Sequence, residues 1–304
     1  LASDRPSFTA EWVAAIRAVE QTLPPGARVV DDPFAAPFLE HARSRLARGG
    51  LRGPLARGAA AVLAAPPFRF TQSVLVRHRV LDDLLLDEAK AGAAQLVVLG
   101  AGYDARAYRF PPGQGGPERV FEVDRPALSA LKRRAVAAAL GALPRHVRFV
   151  EVDFLRERVA DRLVAEGFEP SLRSVFLWEG VTMYLTRAAI LETLGALRAI
   201  AAPGSSIAFD VFRRPEGRDP ISVAGRLAPE VVLRAIGEPL LCSFGEAGEQ
   251  PLDLVRAAGW EPLFHKRSED LQAAFERLAP GRGRVSPQIE LVAARATEGG
   301  TKRG

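Results

Sequence analysis

The stretch from Leu96 to Phe110, LVVLGAGYDARAYRF, runs an apolar segment into Gly100-Ala101-Gly102 and then at once into a carboxylate, Asp104. Glycines at this spacing allow a tight turn and a close approach of backbone to ligand. Three more acids follow short apolar runs: Asp124 in FEVD, Asp153 in VEVDF and Glu179 in FLWEG. Taken alone, GAGYDA fits the G-x-G-x-x-G/A pattern of dinucleotide sites, and Asp124 stands about 20 residues on, where a ribose-binding acid is expected. A nicotinamide or flavin nucleotide is therefore one candidate ligand. Against it, a pyrophosphate needs backbone N–H groups and positive potential, and Asp104 inside the turn would oppose it.

S-adenosylmethionine carries no phosphate. It presents a sulfonium, an ammonium, a ribose diol, an adenine amino group and a single carboxylate, a set that four acids suit. On this reading Gly100 and Gly102 let the backbone approach the methionine part and Asp124 accepts the ribose hydroxyls. Asp153 accepts the adenine amino group, and the backbone N–H of Phe154 meets a ring nitrogen. The ligand's carboxylate needs a cation, and Arg77 or Arg79 in LVRHR is placed to supply it. Each residue also has a plainer role open to it: an acid after a strand can be only the N-cap of the next helix, Asp104 can cap DARAYRF, and Arg77 can sit on a solvated helical face.

These residues need a scaffold that brings strand ends together. QLVVLG, RVFEV, VRFVEV, SVFLWEG and SIAFDVF are short apolar runs separated by helix-length segments, the signature of a parallel sheet covered by helices on both faces. In such an α/β sheet the ligand lies beyond the carboxyl ends of the strands, where strand order reverses. DRPALSALKRRAVAAALG and TRAAILETLGALRAIAAPG read as crossover helices, the first opening with Asp124 before Pro126 and the second capped by Thr186. GWEPLFHK and QIELVAAR read as two last strands with no core-facing crossover helix between them, so an antiparallel strand at the sheet edge is expected. Residues 1–69 form an expected N-terminal helical cap. Residues 70–304 form the main domain, carrying a lid insertion at 213–248 with one helix near PEVVLRAIG.

Composition narrows the function classes. The chain of 304 residues is 48% apolar, enough for a sizeable core. Its net charge is +5, but the basic residues are nearly all Arg, interleaved with acids and not with aromatics, so no nucleic-acid partner is expected. Cys242 is the single cysteine, which excludes a disulfide framework, a zinc knuckle and a redox pair, and suits a reducing cytoplasm. No metal site is expected, and no apolar run reaches the ~20 residues that span a bilayer.

The segments RHRVLDD, VVLGAGYDARAYRF, FEVDRP, VDF and WEGVTMYL together resemble the leucine carboxyl methyltransferase-like family, over roughly residues 70 to 212. The resemblance implies a class I methyltransferase fold that uses S-adenosylmethionine. It implies Arg77 on the cofactor carboxylate, Gly100 and Gly102 at the methionine part, Asp124 on the ribose and Asp153 on the adenine. Glu179 lies next to the methionine amino group on this basis, and Tyr184 near the methyl-transfer face. One departure is Tyr103-Asp104-Ala105, where the family more often has a smaller apolar residue before the Asp and a Thr after it. Bacterial members include polyketide carboxyl methyltransferases, so a small-molecule acid of secondary metabolism, an aromatic polyketide among the options, is the expected acceptor. A carboxylate, with a pKa of ~4, is already ionised and needs alignment but no base, whereas a phenol, with a pKa of ~10, needs one. Of the four histidines His41, His78, His146 and His265, only His78 lies between two arginines. Methylation of a hydroxyl and a non-catalytic binding protein are the competing functions. Arg213 and Arg214, just past the fifth strand, are candidate grips for a flat anion.

Overall fold

The computed structural model describes residues 8–41, 70–152, 157–214, 230, 231, 233, 234, 237–245 and 250–298. Seven strands form one sheet: β1 (Gln95–Leu99), β2 (Arg119–Asp124), β3 (Val147–Glu151), β4 (Ser174–Trp178), β5 (Ser206–Phe212), β6 (Glu261–Lys266) and β7 (Ile289–Arg295). Their spatial order is β3-β2-β1-β4-β5-β7-β6. The first five are mutually parallel, and order reverses between β1 and β4, which is where an open sheet of this kind leaves a crevice for ligand.

The helices follow from the apolar spacing between the strands. Before the sheet come α1 (Phe8–Glu20), α2 (Ala35–His41) and α3 (Phe70–Lys90). A four-residue helix, α4 (Arg106–Arg109), follows β1, and α5 (Pro126–Leu140) follows β2. The rest are α6 (Val159–Ala165), α7 (Arg187–Ile200), α8 (Pro251–Ala257) and α9 (Ser268–Leu278). Pro126 begins α5 and Gly141 ends it at φ +80°, where a side chain would be strained. Thr186 caps α7 by accepting from Ala189 N at 3.2 Å, as its position suggested.

Alternation along each strand splits the core in two. Leu96, Val98, Val120, Leu177, Ala208 and Ala293 pack under α1, α2, α3, α5 and α9. Val97, Leu99, Phe121, Phe209 and Val292 pack under α6, α7 and α8. Residues of 8–41, including Ile16, Val29 and Phe38, belong to the first of these clusters, so α1 and α2 share the core of the sheet. At ~2–5 kcal/mol for truncating a buried Leu or Ile, this shared packing holds the N-terminal helices against the sheet.

One expectation is corrected at the end of the chain. A core helix does separate the last two strands: α9 buries Leu271 and Phe275, one turn apart, against α3. Its stripe of three, Leu271, Phe275 and Leu278, is thin among charged residues, so SEDLQAAFERL does not read as a core-facing crossover helix. The antiparallel pairing expected at the sheet edge is present, between β6 and β7. β7 runs between β5 and β6, antiparallel to both, and β6 is the edge strand. The helix expected near PEVVLRAIG is described only at 230, 231, 233 and 234.

Candidate functional site

The turn after β1 is built so that only glycine fits. Gly100 has φ +64° and Gly102 φ +42°, and a methyl group on Gly100 would overlap Val181 Cγ2. Several polar backbone groups of the turn are engaged by protein. Ala101 N donates to Val123 O (3.0 Å), and Asp104 N donates to Ala101 O (2.7 Å). Gly102 N donates to Asp124 Oδ2 (2.7 Å), while Asp124 Oδ1 accepts from Arg125 N (2.7 Å). Asp124 therefore turns back onto the glycines and does not cap α5, whose N-cap residue, Arg125, makes no side-chain cap. From the N-terminal segment, Arg17 Nη2 donates to Tyr103 O (2.7 Å), with its Nε on Asp32 (2.8 Å).

Beside the turn lies a buried ionic network. Arg106, fully buried, pairs with Asp104, with Asp82 (2.7 Å) and with Glu179 (2.9 Å). Arg109 also meets Asp82 (2.5 Å). Arg77 on α3 puts Nε on Glu179 (2.9 Å) and Nη1 on Asp210 (2.6 Å), which leaves Nη2 on the side of Gly180. Three guanidiniums thus face four carboxylates, a surplus of one negative charge when all four are ionised. Burial opposes ionisation of Asp104, but Arg106, His78 and Lys132 together outweigh it and hold the carboxyl down at about 2. Glu179 is likewise held well below the usual range despite burial, by His78, Arg106 and Arg77.

His78 is locked into the same network. Its Nδ1 lies 3.0 Å from Glu179 Oε2, and its Nε2 lies 3.0 Å from Arg109 Nη1. A neutral ring satisfies these two contacts, with Nδ1–H donating to the carboxylate and Nε2 accepting from Arg109, while Arg106 Nη2, also close to Nδ1, has Glu179 Oε2 (2.9 Å) and His78 O (3.1 Å) to take its hydrogens. Burial, and after it Arg106, pushes the imidazole pKa below its ordinary value, which agrees with that neutral form. His78, Asp104 and Glu179 also bring potential metal-ligand atoms within 4.8 Å of one another. Arg106 already occupies their centre, with Nη2 2.9 Å from His78 Nδ1, so the cation there is a guanidinium.

The second turn follows β4. Gly180 N donates to Asp210 Oδ1 (2.7 Å), and Thr182 Oγ1 donates to Asp210 O. Met183 O accepts from Leu241 N (2.8 Å) and Cys242 N (3.2 Å), so the segment after residue 237 docks here. Tyr184 OH donates to Thr9 Oγ1 (3.4 Å) at the start of α1, and Thr9 N and Oγ1 in turn donate to Glu238. Burial raises the Tyr184 phenol above its ordinary pKa.

Arg77, Gly100, Gly102, Asp104, Asp124, Glu179 and Tyr184 therefore gather at the carboxyl ends of β1, β2 and β4. Asp153 and Phe154 lie outside the described residues. Arg79 does not join them: it is partly exposed and pairs with Asp83 (2.8 Å). Arg213 is not a free anion grip either, because Glu290 takes its guanidinium (2.5 Å) and also meets His265 Nε2 (2.7 Å). Arg214 reaches Glu230 at 3.7 Å. His146 sits against Ala107 O (2.9 Å), and the side chain of His41 is outside the described residues. Sequence reasoning missed Arg106, Asp82 and Asp210. All three had a signal, two inside RHRVLDD and DARAYRF, and the third an acid in the otherwise apolar SIAFDVF. Arg17 had none.

The donor set suits the ligand the glycines suggested. A phosphate would meet Asp104, Asp124 and a network with surplus negative charge, whereas a phosphate-free cation would be attracted.

The leucine carboxyl methyltransferase family profile matches residues 10–198. A Mycobacterium marinum protein is 36% identical over 303 residues, covering 96% of this chain and 93% of its own length. A Mycobacterium avium protein is 36% identical over 216 residues, 69% of each chain. Both carry the name "Putative S-adenosyl-L-methionine-dependent methyltransferase". Among solved structures, a DUF574 family protein from Streptomyces avermitilis aligns with TM-score 0.54 at 13% identity, over 86% of this chain and 95% of that one, a likeness of fold.

Proposed function

The chain belongs to the leucine carboxyl methyltransferase family and is an S-adenosylmethionine-dependent methyltransferase, and from that premise we propose that its acceptor is a carboxylate on a small molecule. The observation that carries this is His78. Both of its ring nitrogens are engaged and its pKa is depressed, so it takes no proton from an acceptor. Tyr184, with its pKa raised, stays protonated and does not serve as a base. An acceptor that arrives already ionised fits a site without a base, and a carboxylic acid of pKa ~4 is such an acceptor.

Bound at these turns, S-adenosylmethionine supplies an electrophilic methyl group. Gly100 and Gly102 bring backbone close to its methionine part, and Glu179, kept ionised by its partners, faces the ammonium. Arg77 offers the carboxylate its Nη2, the one corner of the guanidinium left by Glu179 and Asp210. Asp124 accepts from the ribose, Asp153 and Phe154 N–H serve the adenine, and Asp104 holds Arg106 beside the turn. Tyr184 donates to one acceptor oxygen and leaves the other free to attack, since hydrogen bonds on the attacking atom would lower its nucleophilicity. Alignment of the two reactants then provides the rate. Helix α1 and the segment 237–245 cover the acceptor side, with Thr9 and Glu238 meeting at Tyr184. One observation favours a hydroxyl acceptor as second reading: Glu238, reaching Tyr184 through Thr9, is a carboxylate placed where a base would stand.

The test is a panel of aromatic and aliphatic acids with labelled cofactor, followed by the pH profile with whichever acid turns over. A carboxylate acceptor gives a rate flat from about pH 6 to 9, well above a pKa of ~4. A rate rising through that range and lost in Glu238→Gln would replace it with a hydroxyl.

A further inference from the structure

Beneath the first turn lies a buried polar cluster with no part in the mechanism above. Glu122 precedes Asp124 by two residues on β2, so both side chains leave the strand on one face. Lys132, on the inner face of α5, is 2% exposed, and its Nζ lies 2.8 Å from Glu122 Oε1. Tyr108 on α4 donates its hydroxyl to Glu122 Oε2 (3.1 Å) and turns its ring toward the ammonium, 5.9 Å from its centroid. Burial holds the Glu122 carboxyl at about 7 even though Lys132 and Tyr108 pull it down, so near neutral pH the carboxylate depends on both partners. A buried pair of this kind is seldom worth more to stability than apolar residues of the same volume. What an apolar pair would not supply is the ammonium's other contact, Nζ to Ala101 O at 3.3 Å.

Ala101 C=O and Gly102 N–H belong to the same peptide unit. That unit is planar, with oxygen and hydrogen on opposite sides, so one donor and one acceptor suffice to fix its rotation. Lys132 is the side-chain donor to the oxygen and Asp124 the acceptor from the N–H. We propose that Lys132 is a positioning residue for the cofactor: aimed by Glu122 and Tyr108, its ammonium holds the Ala101–Gly102 peptide at the angle that S-adenosylmethionine requires. Its part grows when Asp124 turns its oxygens to a ribose, because Lys132 is then the remaining side-chain anchor of that peptide. The inference rests on the reading that this turn holds S-adenosylmethionine.

The experiment is calorimetric titration of the full chain with S-adenosylmethionine, comparing the parent with Lys132→Met and Glu122→Gln. Loss of a hydrogen bond from a charged donor is expected to raise Kd on the order of tenfold in Lys132→Met. Glu122→Gln keeps a partner for Tyr108 but releases the ammonium, and a rise of roughly threefold is expected. In both variants the number of sites per chain should stay that of the parent. Parent affinity in the variants, or fewer sites at unchanged Kd, which is the result of a purely structural role, overturns the proposal. If Lys132→Met does not fold, Glu122→Gln decides by the same criteria. A parent that itself binds no S-adenosylmethionine removes the reading of the turn, and with it this inference; a parent that binds equally with its variants removes the inference alone.

Discussion

The two turns at the reversal of strand order, Gly100 to Asp104 and Glu179 to Tyr184, are made differently. In the first, the backbone is bonded to Asp124, Lys132, Arg17 and the β2 strand, and the flanking charges are nearly all spent on one another. In the second, Glu179, Gly180 and Thr182 join that network or its Asp210, but from Met183 onward contacts go to Thr9 and to the chain around Leu241, and the Tyr184 hydroxyl donates one long hydrogen bond of 3.4 Å. A turn held by so many fixed partners presents one shape, which suits a ligand that never changes. A turn whose partners come from other segments of the chain takes its shape from them.

The contrast is broken most severely at Arg106. Arg106→Met leaves Asp82, Asp104 and Glu179 buried without their shared cation, and a loss of roughly 3–5 kcal/mol is expected in denaturant unfolding. A loss below about 1 kcal/mol, the size of an exposed pair, would mean that the network is not the rigid half of the site.

Next in size is Asp124→Ala, which removes the acceptor of Gly102 N–H and the proposed ribose contact. Cofactor affinity should fall by ~1.5–3 kcal/mol in calorimetry. Unchanged affinity would make Asp124 a purely local clasp on the glycines.

The smallest effect sharpens the other side. Tyr184→Phe removes one weak bond to Thr9, so unfolding and cofactor affinity should move by less than about 1 kcal/mol, while turnover of the acceptor falls. A loss of cofactor affinity as large as that of Asp124→Ala would erase the distinction between the two turns.

The parallel half of the sheet was legible because its signals are local. Five Val- and Phe-rich runs, Pro126 and Thr186 at helix starts, and glycines at positive φ each report on a few neighbouring residues. The strand-end acids were legible for the same reason. Arg106 was not, since its role arises where α3, the first turn and the second turn converge, and nothing in DARAYRF states that two distant acids will meet it. Arg213 misled for the complementary reason: its neutralising partner, Glu290, comes from β7, 77 residues along the chain. Likewise β7 inserts between β5 and β6, a choice made by the faces it buries and not by its own pattern.

Helix α1 touches both turns. Arg17 grips the carbonyl of Tyr103, and Thr9, eight residues and about 12 Å earlier on the same rod, meets Tyr184. A rigid body pinned at two places does not tilt at one alone. Occupancy of the cofactor turn is therefore expected to bias how the acceptor side is shaped, and an acceptor that presses on Thr9 is felt at Tyr103. Linkage makes such an effect reciprocal: whatever factor the cofactor contributes to acceptor affinity, the acceptor returns to the cofactor.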